Sequence, residues 1–136
     1  MSTPTLAPRQ AERLADETIV WLTTVNADGA PAPTPVWFLW TGTEFLVLSR
    51  PRTGKLAGVR RTPLVTLNLN SSSSGGDVLV VSGSARVDDA GPSAQEWASY
   101  VEKYRSGLER LGVSADDFRE DYSVLLRITP EKVRGW

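Results

Sequence analysis

Three prolines at alternate positions, Pro31, Pro33 and Pro35, constrain this chain more than any other feature. They lead into Val36-Trp37-Phe38-Leu39-Trp40, a run whose aromatic and β-branched content favours a strand. Residues two apart in a strand turn their amides to the same side, so the three rings remove successive donors along one edge. Such a strand pairs normally on one side only. The segment therefore predicts either an edge strand protected against aggregation or an edge left open beside a ligand.

Its neighbours are also strands. Thr18 to Val25 ends at Asn26-Ala27-Asp28-Gly29, a hairpin turn in which Gly29 supplies the positive φ. Thr41-Gly42-Thr43 turns the chain into Glu44 to Ser49, and Leu64 to Asn70 alternates with Val65, Leu67 and Leu69 facing the core. Ser71 to Gly76 reads as a flexible hairpin loop. A long strand follows over Asp77 to Val87, with Gly83 marking a bend or bulge where the sheet curls.

Helical signals surround these strands. Pro8 to Glu17 is a short polar helix, and a short helical segment precedes Leu64. The best helix runs from Ser93 to Leu111, where Ser93 and Glu96 have capping-box spacing, Trp97, Val101, Tyr104, Leu108 and Leu111 recur at helical intervals, and Gly112 provides the stop. Ser114 and Asp117 start a second helix to about Asp121; Tyr122 to Thr129 closes as a strand, and Pro130 separates it from a tail ending at Trp136. The order predicts one α+β domain over residues 1–136, a mainly antiparallel split β-barrel with flanking helices.

Composition narrows the chemistry. Neither cysteine nor histidine occurs, which excludes disulfides, thiolate nucleophiles, Ser-His triads and the usual His/Cys metal sites, so no metal site is expected. A bound cofactor that does the chemistry itself removes the need for a side chain titrating near neutrality. With 15 basic and 16 acidic residues the net charge is −1, giving no global field for nucleic acid or an anionic membrane. The lack of a signal-type or spanning apolar run predicts a cytoplasmic protein.

The charge that matters is local. Arg50 to Arg61 reads RPRTGKLAGVRR, five of the 15 positive charges with no acid among them. Thr53 is a candidate N-cap, with Leu56 and Val59 on the inner side of the helix. Free N–H groups at the helix start, the Thr53 hydroxyl and Arg50, Arg52 and Lys55 would converge on a phosphate. Gly54-Lys55 is followed by Leu56, which lacks the hydroxyl that holds magnesium in a P-loop, so nucleoside triphosphate hydrolysis is not expected. A solvated basic surface is the alternative reading of the same residues.

A strand ending Pro-Val-Trp-Phe, a hairpin strand ending Leu48-Ser49, and basic residues entering a helix that ends Arg61-Thr62-Pro63 before Val65-Thr66-Leu67 resemble the pyridoxamine 5′-phosphate oxidase-like split barrels. The likeness is greatest to their flavin/deazaflavin oxidoreductase branch, many of which use coenzyme F-420. The resemblance implies a homodimer with two cofactors at the subunit interface. It would place the phosphate at Ser49, Arg50, Arg52, Thr53 and Lys55, with Arg60 or Arg61 as additions, and run Thr34, Pro35, Val36 and Trp37 along the tricyclic ring. Groups from the partner subunit would include those at positions corresponding to Asn68, Asn70 and Trp136; for Trp136 the alternative is a disordered tail.

The chain lacks the longer carboxyl-terminal segment of the pyridoxamine-phosphate oxidases and any histidine for haem. The resemblance then implies an oxidoreductase that transfers hydride from coenzyme F-420 to a small, conjugated, electrophilic substrate, with Tyr104, Tyr122 or bulk water as proton source. FMN is the alternative cofactor. From another class come a non-catalytic cofactor-binding barrel and a barrel that binds single-stranded nucleic acid; the latter would need exposed aromatics interleaved with basic residues.

Overall fold

The computed structural model describes residues 4–136. Helix α1 (Pro8–Asp16) is followed by strands β1 (Val20–Val25), β2 (Pro31–Val36), β3 (Leu39–Trp40) and β4 (Phe45–Ser49). Helix α2 (Gly54–Arg61) leads to β5 (Leu64–Asn68) and β6 (Leu79–Asp88), then to α3 (Ala94–Lys103), α4 (Arg105–Leu111), α5 (Ala115–Asp121) and β7 (Val124–Gly135). The strands form one sheet in the order β2-β1-β5-β6-β7-β4-β3, with every neighbouring pair antiparallel.

That order corrects one expectation in a way that explains the curl. Pro31 to Trp40 is not one strand; it breaks at Trp37-Phe38, and its halves lie at opposite ends of the sheet. In a flat sheet, six inter-strand spacings would part β2 from β3 by about 29 Å. The three peptide links from Val36 to Leu39 span at most about 11 Å. The sheet therefore curls until its edges meet, as a split barrel.

A tyrosine seals the seam. The Tyr104 hydroxyl accepts a hydrogen bond from the Phe38 amide (2.8 Å) and lies within donating distance of the Thr18 carbonyl (2.8 Å) and the Phe38 carbonyl (2.9 Å). The expected helix from Ser93 to Leu111 is broken at this residue, whose φ of −104° and ψ of 16° end α3 and begin α4. Its two ends are as expected: Ser93 and Glu96 form the capping box, and Gly112 stops α4 at φ 70°. Ser114 caps α5 by accepting from the Asp117 amide.

The barrel interior is filled by Val20, Leu22, Phe38, Phe45, Val47, Leu67, Leu79, Val81, Leu126 and Ile128, with Leu56 and Val59 of α2 packed against it. A second cluster, built on Leu46, Leu48 and Leu125, sits under α3, α4 and α5 through Tyr100, Tyr104, Leu108 and Phe118. Because β4 is covered on both faces, its apolar run is continuous and not alternating.

The carboxyl terminus is a second correction. Pro130 does not end the closing strand: β7 pairs with β6 as far as Gly135, and Trp136 exchanges backbone bonds with Val78. The missing Pro130 amide is accommodated by a register shift between Ser82 and Gly83. Gly83 is required there, since a Cβ would stand 2.3 Å from the Thr129 carbonyl oxygen. Among the described residues, no helix is long and apolar enough to cross a membrane.

Candidate binding site

The proline strand is an edge, and its open side is chemically one-sided. The Asn26 amide donates to the Ala30 carbonyl (2.8 Å), which fixes the hydrogen-bonding phase of the β1–β2 hairpin. Ala32, Thr34 and Val36 thus face β1, while Pro31, Pro33 and Pro35 face away from it. Over these residues the outer edge presents carbonyls and no amide donors.

Beside that edge, Thr34, Pro35, Val36 and Trp37 line a cavity of about 420 Å³ together with Ile19, Leu48, Lys55, Tyr100, Leu111, Phe118 and Tyr122. Cavities of this size suit a small organic ligand. Trp37 is held in place by stacking on Tyr104 (centroids 4.4 Å apart, planes at 7°) and Phe118 (5.4 Å, 19°). Gly107 lets α4 lie against it, because a Cβ there would be 3.0 Å from the indole.

The basic turn opens onto the same cavity through Lys55. Ser49 is fully buried at the end of β4, and its hydroxyl donates to the Arg50 carbonyl (2.8 Å) and bonds the Thr53 hydroxyl (3.1 Å). Thr53 occupies the N-cap position of α2, but with its side chain turned to Ser49 it caps no amide of the helix. The first-turn N–H groups, the positive end of the dipole, are left for another acceptor. Arg52 is held at φ 62°, a strained conformation for a residue with a Cβ, and its side chain is exposed.

Lys55 is half-buried, and burial lowers its pKa from the usual lysine range. No acid offsets that cost. Arg50 is more committed than the sequence suggests: it pairs with Asp121 (2.8 Å) and lies over the Tyr122 ring at 5.0 Å.

The remaining predicted residues lie elsewhere. Arg60 and Arg61 are in the last turn of α2, where they complement the carboxyl end of the dipole, and Arg61 donates to the Val25 carbonyl (2.8 Å). Asn68 pairs with Trp21 and Val80, while Asn70 accepts from the Trp21 indole (2.9 Å). Trp136 lies beside Val78, so Asn68, Asn70 and Trp136 gather at one corner on the outer face of the sheet, away from the cavity. Trp136 is 72% exposed there and Leu64, on the same face, 62%.

Of the tyrosines singled out as proton sources, Tyr122 lines the cavity and Tyr104 is spent on the seam. Tyr100, Ile19, Leu48, Leu111 and Phe118 line the cavity with no local sequence signal that marks them for it. The buried stripe of α3 and α4 runs through Tyr100, Tyr104 and Leu108 at regular four-residue spacing, with Val101 only half-buried beside it.

The profile of the family described as pyridoxamine 5′-phosphate oxidase matches residues 6–136. No curated protein matches the chain significantly in sequence. Among solved structures, the conserved hypothetical protein Rv2991 from Mycobacterium tuberculosis is similar over 100% of this chain and 89% of its own, with 19% identity and a TM-score of 0.76. A protein described as an F-420 reductase covers 90% of this chain and 94% of its own (19% identity, TM-score 0.67). The heme storage protein HutZ from Vibrio cholerae covers 97% and 95% (18% identity, TM-score 0.68). At these identities the likenesses show a shared fold.

Proposed function

Since the chain belongs to the pyridoxamine 5′-phosphate oxidase family, we propose that it is an oxidoreductase that binds coenzyme F-420 and serves hydride transfer to a small, conjugated, electrophilic substrate. The observation that carries this reading is Lys55. A half-buried ammonium with no acid to offset its burial stands between an uncapped helix start and an apolar cavity. An anionic ligand with a ring attached satisfies both: its phosphate meets the α2 amides, Arg52 and Lys55, and its ring enters the cavity.

The edge of β2 fits the ring as well. Flavin and deazaflavin rings carry an N–H flanked by carbonyls, and the carbonyls of Pro31, Pro33 and Pro35 face outward with no competing donors among them. When bound, the cofactor supplies the hydride chemistry. The chain's residues then bind, orient and exclude water, and no protein nucleophile is required. Of Tyr104 and Tyr122, the latter lines the cavity and is placed to hold a proton near the ring.

F-420 is favoured over FMN by the similarity to an F-420 reductase and by the exposed Arg52, which adds positive charge beside the turn. FMN is the second reading, since its phosphate would suit the same turn. Haem is disfavoured because the chain has no histidine to ligate its iron. We further propose a homodimer, docked through the outer sheet face that exposes Leu64 and Trp136, with Asn68 and Asn70 at its corner.

The test is a titration with F-420 and, separately, FMN, followed by tryptophan quenching and cofactor fluorescence. Saturable F-420 binding with weaker FMN is expected. The reverse preference overturns the deazaflavin assignment, and no binding of either overturns the oxidoreductase reading.

A further inference from the structure

One polar group in the cavity has no task in the scheme above. Tyr100 on α3 is 3% exposed and lines the cavity together with the β2 residues Thr34, Pro35 and Val36. Its ring is fixed by Trp97 (centroids 5.8 Å), Tyr104 (4.9 Å) and Phe118 (6.1 Å). Its hydroxyl makes no hydrogen bond among the described residues. No enclosed side-chain nitrogen or oxygen among them lacks a partner, so the trace of exposure that Tyr100 keeps must include its oxygen.

The contrast with Tyr104 is informative. That hydroxyl has a full set of backbone partners, whereas Tyr100, one helical turn earlier, leaves its own for whatever fills the cavity. Burial, together with the Tyr104 and Tyr122 phenols, pushes the Tyr100 pKa far above its ordinary 10, so it stays protonated and acts as a donor. Around it Ile19, Val36, Leu48 and Phe118 are apolar.

We infer that Tyr100 is a specificity determinant of this cavity, its hydroxyl donating a hydrogen bond to a carbonyl oxygen on the edge of a planar ring bound there. A ring without an acceptor would strip the hydroxyl of solvent and return nothing. A ring with one regains the bond. The inference rests on the cavity being a ring site, as proposed above, and is independent of the phosphate turn and of the cofactor's identity.

Two probes of nearly equal shape test it on the full chain: menadione, which carries ring carbonyls, and 2-methylnaphthalene, which has none. Binding is followed by quenching of tryptophan fluorescence in the wild-type protein and in Tyr100→Phe. The substitution removes an unbonded hydroxyl and keeps the ring stacking, so the thermal midpoint should not fall. Menadione affinity should drop about five- to tenfold in the variant, with 2-methylnaphthalene bound equally or more tightly.

Unchanged menadione affinity, or parallel weakening of both probes, would overturn the inference. Binding of neither probe by the wild-type protein would overturn the ring site with it. Discrimination between the probes without any binding of F-420 or FMN would overturn the cofactor reading alone.

Discussion

Replacing Tyr104 with Phe removes one oxygen from the seam of the barrel and should cost far more than a surface hydroxyl. That oxygen accepts the Phe38 amide at 2.8 Å and donates to one of two carbonyls at 2.8 and 2.9 Å. Phe38 is fully buried, so its N–H loses its acceptor where water does not replace it. An orphaned buried donor costs about 1–3 kcal/mol, and the lost donated bond about 1 kcal/mol more. The stacking on Trp37 is kept by the phenyl ring. The expected loss is therefore about 2–4 kcal/mol. Urea denaturation reads it directly: with a slope of about 2 kcal/mol/M for a chain of this size, the midpoint falls by about 1–2 M. A loss below about 0.5 kcal/mol at unchanged slope would refute the claim that this hydroxyl holds the seam.

Gly83→Ala drives a methyl to 2.3 Å from the Thr129 carbonyl and should lower stability by more than about 2 kcal/mol; an unchanged melting temperature would show that the bulge relaxes freely. Arg52→Ala and Lys55→Ala should each weaken cofactor binding by about 1.5–3 kcal/mol while circular dichroism and melting stay as in the wild type, and normal binding by both variants would remove the phosphate site. Arg127 clamps Glu96 (2.8 and 2.9 Å) and Asp88 (2.6 Å), holding the Glu96 carboxyl at about 2 against an ordinary 4.5. A depressed carboxyl contributes stability that is full above pH 4.5 and lost as the pH falls through about 2. The shift corresponds to at most about 3.5 kcal/mol, which screening reduces to about 1–2 kcal/mol. The stability gap between wild type and Glu96→Gln should narrow between pH 6 and pH 2.5, and a constant gap would refute the linkage.

Much of the fold was legible because its signals are local. Alternation placed Val65, Leu67 and Leu69 inside, the capping box fixed the start of α3, and Gly83 marked the bulge. What escaped depends on residues far apart in sequence. The break at Trp37-Phe38 is written in no local propensity; it exists because Tyr104, 66 residues away, satisfies the Phe38 backbone. The long helix breaks at that same tyrosine. Pro130 looked like an end because its missing amide forbids regular pairing, and the compensation lies across the ladder at Ser82 and Gly83.

The candidate site divides in the same way. Thr34, Pro35, Val36, Trp37 and Lys55 were visible as an odd edge and a basic turn, and the structure brings them to one cavity. Arg60, Arg61, Asn68 and Trp136 do not join them, and Arg61 serves the backbone at Val25. Charge clustering cannot separate a cation that lines the cavity from one that bonds a strand carbonyl. Only the helix geometry, with Lys55 in the first turn and Arg61 in the last, makes that distinction.

The most direct test is a crystal structure of the protein with F-420 bound. The phosphate group should lie within about 3 Å of the Lys55 ammonium and the first amides of α2, with the ring in the cavity between the β2 edge and Tyr100. A ligand bound with its phosphate away from that turn, or its ring outside that cavity, would contradict the account.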